Sequence, residues 1–388
     1  MKRILLAIAI ALALPLTAAS QSPRKEVIGY YPSWKWNSAG GGYRVSALHF
    51  DKLTIINYAF FAPMPDGAIR GIDTAGDALY LRCGGDSDIV SLSHRKNVDV
   101  MLSVGGWDDS ENFPAVAASD QRRSAFAHAC VEAIRRFGFD GIDIDWEFPG
   151  LTDHNGTPAD THNYTLLLRT LRDSLDGYGL AIGRHCLLSA ALPAGLPFAA
   201  NFEMRDVSGL LDFLNIMTYD FTGSWDPLSY YNSPLHAPAG VDSTRCVAAA
   251  YQLYHQTYNV PDGKINLGVP FYGHTFTHCT APQTSHAGED TVHFSKRGAM
   301  YSDIVRVMPQ CVRHWDPRAE VPYLVCSDWN LFVSYDDVES IHAKAAFVVD
   351  HHLRGLIIWE LTGDLMPDGS SPLLEAIATT FHSGGPYK

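Results

Sequence analysis

Eight short apolar segments recur along the chain with helical segments between several of them, and this alternation constrains the fold more than any other feature. The segments are EVIGYYPSW (26–34), LTIINYAFFAP (53–63), VDVMLSVGGW (98–107), FDGIDIDWEF (139–148), HCLLSAALPA (185–194), LDFLNIMTYDF (211–221), KINLGVPFYG (264–273) and GLIIWELTGD (355–364). Each is rich in β-branched or aromatic residues and closes on or near Gly, Pro, Asp or Trp, which reads as a strand running into a turn. Between 121 and 139, apolar residues fall at Ala125, Phe126, Ala129, Cys130, Ala133, Ile134 and Phe137. That spacing predicts an amphipathic helix, with Gly138 placed to end it. Residues 161–176, 243–258, 336–352 and 371–381 also read as helices. Eight strands alternating with helices predict an α/β fold, a (β/α)8 TIM barrel over 25–388, whose chemistry gathers at the C-terminal ends of the strands. One interval breaks the rhythm. Residues 277–335 are too many for a structureless loop. The strand-like pieces VPYLVCS (321–327) and WNLFVSYD (329–336) predict a small α+β insertion between strand 7 and strand 8.

The N-terminus has a different logic. Lys2 and Arg3 precede an apolar run (4–16) too short to span a bilayer, and the small residues TAAS (17–20) follow. This order predicts a secretory signal peptide over 1–20, cut near Ser20–Gln21, and an extracellular or periplasmic location. A formal charge of −13, or −15 without Lys2 and Arg3, argues against nucleic acid or an anionic membrane as partner. Seven cysteines lie at Cys83, Cys130, Cys186, Cys246, Cys279, Cys311 and Cys326. None has zinc-site spacing with partner histidines, so no metal is expected. Export permits disulfides, and Cys279, Cys311 and Cys326 lie close enough in sequence to offer one. Cys130 and Cys186 read as core residues.

The fourth strand carries the densest chemistry, Asp140-Gly-Ile-Asp143-Ile-Asp145-Trp-Glu147. Side chains alternate faces along a strand, so Asp143, Asp145 and Glu147 share one face and Ile142, Ile144 and Trp146 the other. In a barrel the acidic row points inward. Carboxyls spaced roughly 6–7 Å apart at the backbone in a closed interior cannot all ionise cheaply. At least one should keep its proton, and Glu147, nearest the strand's C-terminal end, is then a ready general acid. A calcium loop fits less well: Phe148 stands where the turn needs Gly, and His154 where a bidentate Glu belongs.

The string DGIDIDWEFPG resembles the D-x-x-D-x-D-x-E signature of glycoside hydrolase family 18. SVGGW (103–107), SAALPAG (189–195), MTYDF (217–221), GVPFYG (268–273) and IIWEL (357–361) resemble the family's motifs of the third and fifth to eighth strands, in order. The resemblance covers about residues 26–382, and the insertion falls where many family chitinases carry an α+β domain. It implies a secreted chitinase that cuts between N-acetylglucosamine units with retention and needs no cofactor. Glu147 would be the acid, and Asp145 would orient the substrate's acetamido group, which is itself the nucleophile, an exception to the two-carboxylate scheme. Asp143 would tune Asp145, Tyr219 would donate to the acetamido oxygen, and Asp140 would be structural. Tyr30, Phe60, Gly106, Trp107, Met217, Asp220, Trp225, Tyr272 and Trp359 would line the sugar groove, with Trp359 flooring the cleavage site, because pyranose faces stack on aromatic rings. His274 departs from the pattern, which commonly has Arg two residues after the seventh-strand Tyr.

Two other readings stay open at this level. An inactive lectin of the family would bind chitin oligomers without cleaving them, although such members usually lose the final Glu that this chain keeps. An endo-β-N-acetylglucosaminidase acting on N-glycans would use the same residues. The expected partners are chitin or N-acetylglucosamine oligosaccharides, and the expected state is a monomer.

Overall fold

The computed structural model describes residues 25–36, 42–81, 88–237, 240, 242–294 and 299–383. The expected signal peptide and Cys83 lie outside them. Eight parallel strands close on themselves: Glu26–Pro32 (β1), Ile55–Pro63 (β2), Asp99–Gly105 (β3), Gly141–Asp145 (β4), Leu187–Pro193 (β5), Phe213–Met217 (β6), Ile265–Pro270 (β7) and Gly355–Trp359 (β8). Each pairs with the next, and β8 returns to β1 through Glu26↔Gly355 to Gly29↔Ile358. The expected (β/α)8 barrel is the observed one.

Two apolar layers follow from the period-2 alternation of the strands. Outside the barrel, Ile142, Ile144 and Trp146 join a large core beneath the helices. Trp146 stacks on Phe113 at 5.2 Å between centroids and 12° between planes. Inside, Ile28, Tyr30, Ile55, Phe60, Met101, Phe213 and Ile357 form a separate cluster, with Tyr219 and Trp359 packed on it. The helix Asp120–Phe137 ends at Gly138, which takes the left-handed conformation (φ 82°) expected of a glycine C-cap.

The strands are shorter than the segments predicted for them, and two of them show why. The segment 211–221 leaves the barrel at Met217, because the Thr218 hydroxyl takes over the Gly268 main chain, 2.7 Å from both its N and its O. The segment 264–273 stops at Pro270, which has no amide hydrogen to continue a ladder. Tyr272 begins another sheet, in which Ala299–Met300, Tyr272–Thr277, Leu331–Ser334, Val321–Cys326 and Val312–Asp316 lie side by side in that order, antiparallel throughout. The helix Tyr301–Val307 accompanies it. A Cys311–Cys326 disulfide closes its outer hairpin. Cys130, Cys186, Cys246 and Cys279 are free and buried. Among the described residues, no helix is long and apolar enough to cross a membrane.

Candidate active site

β4 delivers its carboxyls to the barrel axis, where neighbouring strands determine what each one meets. Asp143 is fully buried and collects four donors from four strands: Tyr30 Oη (2.8 Å), Ser103 Oγ (2.8 Å), Ser189 Oγ (2.5 Å) and Asn215 Nδ2 (3.2 Å). Asn215 is aimed in turn by Asn266, whose Nδ2 donates to its Oδ1 at 3.0 Å. Burial raises the Asp143 pKa, and these hydrogen bonds oppose the rise.

Asp145 is treated differently. It is buried, and its Oδ1 has no protein hydrogen-bond partner. Burial first, then the charges of Glu147 and Asp143, hold its pKa well above the ordinary value. Glu147 shares a hydrogen bond with it, and burial and the nearby Asp220 push Glu147 up to about 8. Two such groups in contact favour keeping one proton between them at neutral pH.

Glycine is required beside this pair. Gly105 has φ 115°, and a Cβ there would lie 2.1 Å from the Asp145 carbonyl oxygen. That carbonyl accepts from Gly106 N at 2.7 Å. The Gly-Gly of SVGGW thus folds the chain against the carboxyl strand and turns Trp107 into the cleft. Ser110 completes the arrangement: its Oγ accepts from Glu147 N at 2.9 Å and lies 2.8 Å from Gly106 O.

Tyr219 follows β6. A Cβ at Gly268 would lie 2.7 Å from the Tyr219 ring, so a side chain at 268 would displace it. Burial, then Asp145 and Asp220, keep its hydroxyl well above the usual phenol range and therefore protonated as a donor. Asp220 sits in a left-handed turn (φ 57°). Its Oδ1 takes the Tyr272 hydroxyl (2.6 Å) and faces His274 Nε2 (2.7 Å). His274 also meets Trp225 edge-on, with centroids 5.2 Å apart.

These groups surround a cleft of about 1020 Å³. Tyr30, Phe60, Gly106, Trp107, Asp145, Glu147, Met217, Tyr219, Asp220, Trp225 and Trp359 all line it. Two residues expected at the site do not: Asp143 lies behind Asp145, and Tyr272 is directed onto Asp220. The aromatic residues divide into two kinds. Trp107 and Trp225 are 53% and 63% exposed and form open walls. Tyr30 and Phe60 are buried supports: Phe60 stacks under Trp359 at 5.6 Å and 18°, and Tyr30 is spent on Asp143. Trp34, Phe148 and Phe198 also line the cleft, and sequence reasoning did not single them out. Ser103, Ser189, Asn215 and Ser110 were missed too. The available signal was a small polar residue in each of the otherwise apolar runs SVGG, SAAL and FLNIM. Glu360, beside Trp359, belongs to the scaffold in a buried ion pair with Lys35 at 2.5 Å. Among the described residues, no group of three or more His, Cys, Asp or Glu could hold a metal ion.

Residues 26–364 match the model of glycosyl hydrolases family 18. The chain belongs to this family. It is a glycoside hydrolase, and its relatives include chitinases. It is 33% identical to Chitinase A1 of Niallia circulans over 90% of its own length and 58% of the relative's, so it spans little more than half of that protein. It is 30% identical to Probable chitinase 2 of Drosophila melanogaster, over 88% of this chain and 72% of that one. The crystal structure of Ostrinia furnacalis Group IV chitinase in complex with allosamidin superposes with a TM-score of 0.84 at 28% identity, covering 93% of this chain and 100% of the other.

Proposed function

We propose that this family 18 enzyme is a secreted chitinase that hydrolyses β-1,4 bonds between N-acetylglucosamine units with retained configuration. One observation carries the mechanism. Asp143 takes four protein donors, whereas Asp145 keeps a buried oxygen with none, beside a Glu147 whose pKa burial raises to about 8. That free oxygen is suited to receive the acetamido N–H of the sugar bound at the cut. A buried acceptor without a partner is costly, so a substrate that supplies the donor is favoured there.

The steps follow from these assignments. Glu147 gives its proton to the glycosidic oxygen, and the C1–O bond breaks with its electron pair going to that oxygen. The acetamido carbonyl oxygen bonds to C1 and forms an oxazolinium ion. Asp145, ionised because Glu147 held the pair's one proton, offsets its positive charge, and Tyr219 donates its hydroxyl to the acetamido oxygen. Glu147, now a carboxylate, takes a proton from water as the water adds to C1. The ring reopens, and Glu147 recovers its proton. Asp143 acts from behind: its charge raises the pKa of Asp145 and so tunes it.

Two further observations support a chain-like substrate. Trp107 and Trp225 offer two aromatic walls on the cleft, and the antiparallel sheet that begins at Tyr272 buttresses one of them through His274. Product analysis on a chitin hexamer and a high-mannose glycopeptide tests the proposal. Cleavage of the hexamer to shorter oligomers whose new reducing ends start as the β-anomer is expected. Release of glycan from the glycopeptide with an intact hexamer, or α-anomeric products, would overturn it.

A further inference from the structure

We propose that His154 is a positioning residue that ties the groove-wall ring of Trp107 to the main chain of Glu147, and so fixes where the acid stands relative to a sugar stacked on that ring. The inference rests on the reading of Glu147 as the acid.

Glu147 lies two residues beyond the last ladder residue of β4, so the sheet does not set its peptide orientation. Backbone groups released from a ladder must find other partners, and those partners then decide how the segment sits. Glu147 has one on each side. Its N–H goes to Ser110 Oγ at 2.9 Å, and its C=O lies 2.6 Å from His154 Nδ1. A carbonyl oxygen only accepts, so Nδ1 carries the proton in this contact.

The loop bearing His154 is built to hold the imidazole there. Thr152–His154 form a single 3-10 turn, closed by Asn155 in the left-handed conformation (φ 59°). Gly156 N returns to Leu151 O at 2.8 Å. The buried Asp160 carboxylate accepts from Gly150 N (3.2 Å) and Thr157 N (2.8 Å), clamping the loop's two ends. Asn155 Nδ2 adds a bond across to Glu111 O at 3.2 Å, which docks the loop on the segment that follows Trp107. The imidazole so held meets Trp107 edge-on, with centroids 4.8 Å apart at 64°. Trp107 is 53% exposed, and this edge packs against the part of it that solvent does not cover. One imidazole thus touches an aromatic wall of the cleft with its ring and the acid's peptide with its Nδ1–H. A sugar stacked on Trp107 is thereby held at a set distance from the Glu147 carboxyl, the kind of placement on which proton transfer depends.

Two substitutions separate the two contacts. His154→Phe keeps a ring against Trp107 and removes the donor. His154→Asn keeps a donor near the Nδ1 position and removes the ring. On chitin hexamer, His154→Phe should lower kcat by about ten-fold and leave KM within about two-fold, because loosening the acid harms the chemical step more than binding. His154→Asn should keep kcat within about three-fold and raise KM several-fold, because a freed Trp107 binds sugar less well. A merely structural loop residue would give the same loss in both variants, in step with their melting temperatures and active fractions. That parallel loss, or a wild-type kcat in His154→Phe, would overturn the inference. Glu147→Gln run alongside keeps the two claims apart. If it is inactive while His154→Phe turns over at full rate, only the His154 inference falls. If Glu147→Gln turns over normally, the acid assignment falls and takes the inference with it.

Discussion

Just before β4, Asp140 is buried against Arg184, with His94 Nε2 and Val100 N at 2.8 and 2.7 Å. At the other end of the same strand, the charges that act on Asp145 and Glu147 are carboxylates: each other, Asp143, Asp220 and Asp108. Four acidic residues within eight positions therefore split by their company. The carboxyl met by a cation and a peptide N–H ties helix and strand ends together. The carboxyls met by more carboxyls cannot all ionise, and the proton they retain is the reagent of the proposed mechanism. Asp143, between the two, has hydroxyl and amide donors in place of a cation, which fits a group that holds charge without reacting. Burial alone does not distinguish structural from chemical acids here; the partners do.

The contrast breaks most visibly at Glu147. Glu147→Gln should lower kcat on chitin oligomers by about 10²–10⁴-fold, since an amide donates no proton to the leaving oxygen, while oligomer binding survives in calorimetry. The same variant should be more stable than wild type at alkaline pH. The folded pKa of Glu147 is raised from 4.5 to about 8. Its stabilising contribution is therefore full below the unfolded value and is lost as pH rises through about 8, and the neutral amide never incurs that loss. Denaturant midpoints measured at neutral and alkaline pH check the sign. An Asp145→Asn variant should lose about 10²–10³ in kcat with ground-state binding nearly unchanged, because the charge it supplies matters only once the oxazolinium forms. Steady-state kinetics set beside oligomer Kd would test this.

Substitution at the other end should have the opposite signature. Asp140→Asn should cost about 1–3 kcal/mol of stability by leaving buried donors unmatched, with kcat per folded molecule unchanged. A specific loss of turnover there would erase the distinction drawn between the two ends. The smallest effect is expected at Asp220, whose charge is the second cause of the raised Glu147 pKa after burial. An acid works while protonated, so activity should fall as pH rises through the Glu147 pKa. Asp220→Asn should move that alkaline limb to lower pH.

How much of the fold and the site was legible in the sequence depended on whether one strand or several were needed. The face-sharing of Asp143, Asp145 and Glu147 follows from period 2 within a single strand, and the barrel from the recurrence of eight such strands. The four donors around Asp143 come from four different strands. Their meeting depends on registers such as Ser103↔Asp143 and Asp143↔Ser189, which no single segment encodes. The same holds for His154, read in the sequence only as the wrong residue for a calcium loop. Its contact with Glu147 O exists because a 3-10 turn and a left-handed Asn155 bring the loop back on itself. Tyr30 and Phe60 add a role that their own segments did not suggest. Both line the cleft, and adjoining barrel strands also bury them as supports for Asp143 and Trp359.

In the proposed mechanism the Asp145–Glu147 pair holds one proton at neutral pH while Asp140 takes no part. Carboxyl-labelled infrared or ¹³C spectra of the free enzyme, followed across pH, measure it directly. A protonated-carboxyl signal should persist at neutral pH, titrate away near pH 8, and change in Glu147→Gln but not in Asp140→Asn. Spectra showing both Asp145 and Glu147 ionised at neutral pH would contradict the account.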